Sequence, residues 1–223
     1  MVQFLFDVLT LWCKVVTMHN KSAEARLQTI RTLMERSALY RRALGPIMIW
    51  LGVVATGASA IGWYQQINHP KQFVYYWLGV SVAAASGAFL MARRQAVKAE
   101  EPFWTAPAKR VVHAFLPPLV IGGVLAVSGA GSDSGWFVRI LPIIWAWCYG
   151  CALHSASFFM AQGVRTLGWG FILLGFVDAF LSPRMETHER MEFAHLTMGL
   201  CFGGLHLVAG AYLYWTERSP KTS

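Results

Sequence analysis

The chain has 223 residues, 56% of them hydrophobic and only 13% charged, against about a quarter charged in an ordinary soluble domain. So few charges cannot coat a water-facing surface, which argues against a soluble globular protein. The formal charge of +8 does not indicate nucleic-acid binding either, because the basic residues flank apolar blocks and form no aromatic-interleaved basic run.

Residues 2–18 are largely apolar but carry Asp7 and Lys14, too short and too interrupted to span well. No basic region precedes them and no clear small-residue cleavage site follows, so they fit an interfacial helix better than a signal peptide. The start is readable at Met1 or at Met18. Asn20 or Ser22 is placed to cap a second helix over about 23–42. There Leu27, Ile30, Met34 and Ala38 form one stripe at helical spacing, with Arg31 intruding at its edge. Residues 1–43 are therefore expected to be a cytoplasmic or interfacial amphipathic segment.

Six apolar blocks follow, at about 44–64, 73–92, 111–129, 136–158, 164–181 and 193–215. Each has about the length that crosses a hydrocarbon core of about 30 Å, and each is expected to be helical because lipid offers no partner to an unpaired amide. The expected fold is an all-α, polytopic transmembrane bundle of six spans in three αα-hairpins, occupying 44–215, with a short cytoplasmic tail at 216–223. Fifteen Lys and Arg fall on the side of the N-terminus and four on the other, counting Arg139 just inside a span. That bias places both termini in the cytoplasm.

Within the third span Pro117-Pro118 and Gly122-Gly123 predict a kink, and Pro142 a bend in the fourth. Backbone carbonyls freed at such kinks line cavities in some transporters. Arg139, Asp178 and His195 lie in the outer third of their spans. An Arg139–Asp178 pair would offset part of the desolvation of each charge, as a structural pin or as a proton or anion site. Nearer the cytoplasm lie Cys148, Cys151 and His154 on span four and His206 on span six. Cys148 and Cys151 are helical neighbours, compatible with a soft metal or redox site completed by His154, or with cysteines acting as small hydrophobes. Haem held between His154 and His206 or His113 is a further alternative. His195 and His206 are eleven residues apart, close to three turns of α-helix, and are expected on one face. Trp63, Tyr64, Tyr75, Tyr76, Trp77, Trp136 and Trp215 sit near span ends and are expected to anchor at the interface. The four cysteines, including Cys13 and Cys201, lie in apolar stretches and do not suggest a disulfide framework.

An internal repeat is visible. Arg42-Ala-Leu44-Gly45 with Ile49, Leu51, Gly52 and Val54 matches Arg165-Thr-Leu167-Gly168 with Ile172, Leu174, Gly175 and Val177 without a gap. Phe73 and Gly79 are spaced as Phe193 and Gly199 are. Spans 1–2 and 5–6 read as copies of one hairpin, with spans 3–4 a diverged third. Through HAFLPPLVIGG at Pro117-Pro118 and FGGLHLVAGAY at Gly203-Gly204-Leu205-His206, the chain resembles a group of small six-span bacterial membrane proteins of uncharacterised activity. Its R-x-L-G and Leu-Gly positions are distantly similar to the three-hairpin HdeD type of acid-resistance membrane protein. The resemblance implies a bacterial inner membrane and supplies no catalytic residues.

No phosphate-binding loop, dinucleotide fingerprint, nucleophile elbow or HExxH occurs. Three functions remain open. One is an inner-membrane protein that moves a small solute or proton or supports envelope stress tolerance. Another is a redox, metal or haem subunit, and the third a scaffold whose basic N-terminus recruits a partner. No resident cofactor and no catalytic residue is assigned. The expected partners are the bilayer and a second copy or another membrane protein.

Overall fold

The computed structural model describes residues 44–100, 102–131, 135–160, 162–181 and 187–218. The amphipathic segment 1–43 and the last residues of the tail lie outside them. Among the described residues all regular structure is helical: α1 (Leu44–Tyr64), α2 (Pro70–Lys98), α3 (Ala106–Ala130), α4 (Gly135–Ala156), α5 (Gln162–Leu181), α6 (Thr187–Met198) and α7 (Leu205–Arg218). A π-helical turn, Gly199–Gly204, joins α6 to α7, so that Phe193–Trp215 forms one apolar rod. Six helices are thus long and apolar enough to cross a membrane.

The ends of these helices follow from local chemistry. The turn after α1 closes as a Schellman motif. Ile67 N–H donates to Gly62 O at 3.1 Å and Gln66 N–H to Trp63 O at 3.1 Å, with Gln66 at a φ of 50°. Pro70 starts α2 at a position whose amide would have no helical partner anyway. Thr105 caps α3, its hydroxyl accepting from Ala108 N–H at 3.4 Å. The α3 helix runs unbroken from Ala106 to Ala130 through Pro117 and Pro118.

The exteriors of the rods are apolar. Val53, Val82, Val120, Val124, Leu173, Phe180 and Val208 are all at least half exposed, a surface that water would not tolerate over such an extent and that lipid accommodates. The chain is a multi-pass membrane protein whose spans contact the bilayer. Inside, packing separates into two layers. One gathers Phe73, Val74, Trp77, Ala126, Leu141, Ala194 and Met198. The other gathers Leu44, Met48, Ala146, Leu153, Val164, Leu167 and Phe171.

Small residues set where rods meet closely. A Cβ at Gly168 on α5 would lie 2.9 Å from both Gly150 O and His154 N of α4. A Cβ at Gly52 on α1 would lie 2.6 Å from Leu207 of α7, and Gly203 lies directly against Thr56 of α1. The first rod therefore packs along the last, and α5 along α4. Such approaches let dispersion and weak Cα–H···O contacts hold helices together where lipid removes the hydrophobic drive.

Several of the expected aromatic anchors lie largely exposed: Trp63, Tyr64, Tyr75 and Trp215 are 60% exposed or more. Trp77 and Tyr76 do not. Trp77 is buried in the core, and the Tyr76 hydroxyl donates to Ala58 O across α1–α2 at 2.6 Å. The helix starts earlier than the apolar block suggests, at Pro70, which carries Tyr76 and Trp77 deeper than a span beginning at residue 73 would. The side chain of Trp136 is not among those described.

Candidate functional site

The buried polar side chains lie mainly on the last rod, at His195, Thr197 and His206, with Asp178 on α5. His195 is the most enclosed. Its ring lies over Gly62 of α1, where a Cβ would come within 2.5 Å of two of its atoms. It meets Phe73 edge-on with centroids 4.9 Å apart. The indole N–H of Trp77 can only donate, and it points at His195 Nδ1 at 3.3 Å. A carbonyl can only accept, and Ile67 O lies 3.2 Å from Nε2. These partners assign the proton to Nε2, and the neutral imidazole satisfies both. The Schellman turn is what presents Ile67 O. The backbone is tied as well, the Ser59 hydroxyl donating to His195 O at 2.6 Å.

His206 is held with the opposite tautomer. Its Nδ1 lies 2.6 Å from Phe202 O, so Nδ1 carries the proton and Nε2 accepts from the Tyr149 hydroxyl at 2.9 Å. Phe171 and Tyr149 face the ring at 5.4 Å. His195 thus looks toward α1 and α2, and His206 toward α4 and α5. The two do not share a face, contrary to the α-helical count. The π turn between them is wider than an α turn, so the phase of the rod changes between the two rings.

Asp178 is the only Asp or Glu within the six spans. It is 6% exposed and accepts from the Thr197 hydroxyl of α6 at 3.3 Å. Thr197 lies two residues before the π turn. The expected partner, Arg139, is on α4, but its side chain is not among those described. The Thr197 hydroxyl is a neutral partner that the spacing of charges could not reveal.

Cys148, Cys151 and His154 of α4 lie in three different surroundings. Cys148 lies beside Gly122 of α3, Cys151 is exposed, and the His154 ring packs on Phe158 and Trp169 at 5.8 and 5.7 Å. Among the described residues no three His, Cys, Asp or Glu side chains are grouped to hold a metal ion. Three buried polar atoms find no hydrogen-bond partner among the described residues: His154 Nδ1, Trp147 Nε1 and Gln95 Oε1. Trp147 Nε1 lies over Gly175 of α5, where an added Cβ would come within 2.6 Å.

Sequence reasoning singled out Asp178, His195 and His206 through the cost of polar groups at membrane depth. It missed Thr197, Tyr149 and the buried role of Trp77. Thr197 has a legible signal only as a polar residue within an apolar rod, since residues two apart on a helix do not face each other. No family model, curated protein or solved structure matches the chain.

Proposed function

We propose that this is a bacterial inner-membrane protein, with both termini cytoplasmic, that moves a proton or a small solute coupled to one, working at Asp178 and Thr197. One observation carries the reading: the sole carboxyl of the spans is buried, paired to a hydroxyl of another rod, and placed beside a π turn. Ionisable groups at this depth are costly and usually serve a pathway. π turns recur at functional sites and offer a hinge between the two histidine-bearing halves of the last rod.

The three-hairpin repeat belongs to the same proposal. Matched glycines make matched contacts: Gly45 and Gly52 of α1 meet α7, as Gly168 and Gly175 of α5 meet α4. Each pair thus supports packing of one hairpin's first rod on another hairpin's second, α5 on the preceding hairpin and α1 on the last.

The test is proton flux in vesicles containing the purified protein, driven by a potassium diffusion potential and read with a trapped pH dye. Wild type is expected to conduct, Asp178→Asn to lose at least tenfold, and Thr197→Val to lose less. No flux in wild type, or wild-type flux in well-folded Asp178→Asn, rejects the proposal.

A further inference from the structure

We propose that the charged end of α2 and α3, with the apolar seam between the two rods, binds an anionic phospholipid. The inference rests on the chain spanning a membrane and is independent of proton movement. The α2 helix has 29 residues, about 43 Å of rise, more than a hydrocarbon core of about 30 Å needs. Its last turns carry Arg93, Arg94 and Lys98, all exposed. The link to α3 folds back on α2: the Phe103 ring meets Phe89 edge-on at 5.1 Å, and Trp104 stacks on Phe103 at 5.8 Å. The first turns of α3 then present Lys109 and Arg110, also exposed.

Five cations thus flank one short link. Among the described residues none of their side chains has a hydrogen-bond or ion-pair partner, α3 has no acidic residue in its first turn, and Glu100 and Glu101 of the link leave the five cations in excess. An orientation signal alone requires basic residues near a span end. It does not require the aromatic fold-back or two lightly packed rods beside it. Both rods are lightly covered: only 17% of the apolar window of α2 and 11% of that of α3 is buried, against 33–44% for the other rods. The two rods touch at few points, whereas α4 and α5 pack along their length. Phe89 and Leu90 on α2 and Leu116 on α3 are about half exposed near the charged end. A phosphodiester complements the cations, Trp104 sits at headgroup depth, and an acyl chain lies along the seam. Free phosphate would lack the apolar half of these contacts.

The full chain, delipidated in neutral detergent, is titrated with phosphatidylglycerol, with phosphatidylcholine and with inorganic phosphate. Retained lipid is read by native mass spectrometry and the Tm by thermal unfolding. Phosphatidylglycerol is expected to be retained and to raise the Tm, the other two to do neither. The triple variant R94Q/K109Q/R110Q is expected to bind at least fivefold more weakly, and K71Q, at the opposite end of α2, to bind normally. On the wild-type protein, raising the salt concentration is expected to weaken binding progressively, a readout that does not depend on the triple variant folding. Equal shifts from phosphatidylcholine or phosphate, salt-independent binding, or undiminished binding by the triple variant would each overturn the proposal.

Discussion

At His195 the ring is fixed by contacts from three directions: Trp77 from α2, Ile67 from the α1–α2 turn, and the backbone of Gly62 beneath it. Gly62→Ala places a methyl carbon into the imidazole and must displace it from both partners. A loss of about 1–3 kcal/mol is expected from overpacking, read as a lower Tm in detergent. Gln66 gives the opposite sign. It holds a φ of 50°, which costs a side-chain-bearing residue roughly 1 kcal/mol, while its backbone bond closes the turn that aims Ile67 O. Gln66→Gly keeps that bond and relieves the strain, so the Tm is expected to rise. At His206, a double-mutant cycle with Tyr149→Phe and His206→Phe is expected to show coupling of about 1 kcal/mol, because each single change leaves a buried partner unpaired. Additive effects would show that the 2.9 Å contact contributes nothing. The interior place of these histidines was legible from span depth alone. Their partners were not, since Ile67 acts through its carbonyl and Trp77 reads as one more aromatic near a span end.

Among the elements, the existence of six rods was readable because apolar block length is the strongest signal a membrane chain offers. The first boundary, 44–64, coincides with α1. The ends of α2 and α3 were misjudged, since charged turns continue a helix beyond the hydrocarbon and hydropathy stops counting there. The π turn left no trace in spacing, so a face drawn at 3.6 residues per turn carried His206 to the wrong side. Glycines were legible as small residues but not by role, which only the neighbouring rod decides. Gly57 has nothing within 4 Å of its added Cβ, whereas Gly168 faces the backbone of α4. Gly57→Ala is therefore expected to be neutral or stabilising by up to about 1 kcal/mol through helix propensity. Gly168→Ala must push α5 off α4, and a loss of more than 2 kcal/mol is expected. Thermal unfolding of the two variants side by side checks the contrast.

For the molecule as a whole, the rods do not hold one another equally. The α4–α5 pair is locked by backbone approach at Gly150 and Gly168, and α1 is locked to the last rod at Gly52, Thr56, Ser59 and Gly62. The α2–α3 seam is the lightly held one, although these two rods are neighbours in sequence. Covalent order and packing order therefore disagree, and cutting the chain between α2 and α3 removes a link but few contacts. Co-expressing residues 1–99 with residues 104–223 is expected to yield an assembled pair that co-purifies through a tag on either piece. The closest contacts that recruit the first piece come from α1 against α6–α7, with Phe73 and Trp77 of α2 adding theirs to His195. A change at the α1 contacts should therefore weaken the pair while the uncut chain still inserts. Gly203→Leu in the second piece drives a branched side chain into Thr56 and is expected to abolish co-purification. Arg94→Gln in the first piece, at the seam's charged end, should leave it intact. Halves that fail to associate in the unsubstituted pair would place the stabilising contacts in the α2–α3 connection, against the glycine crossings described above.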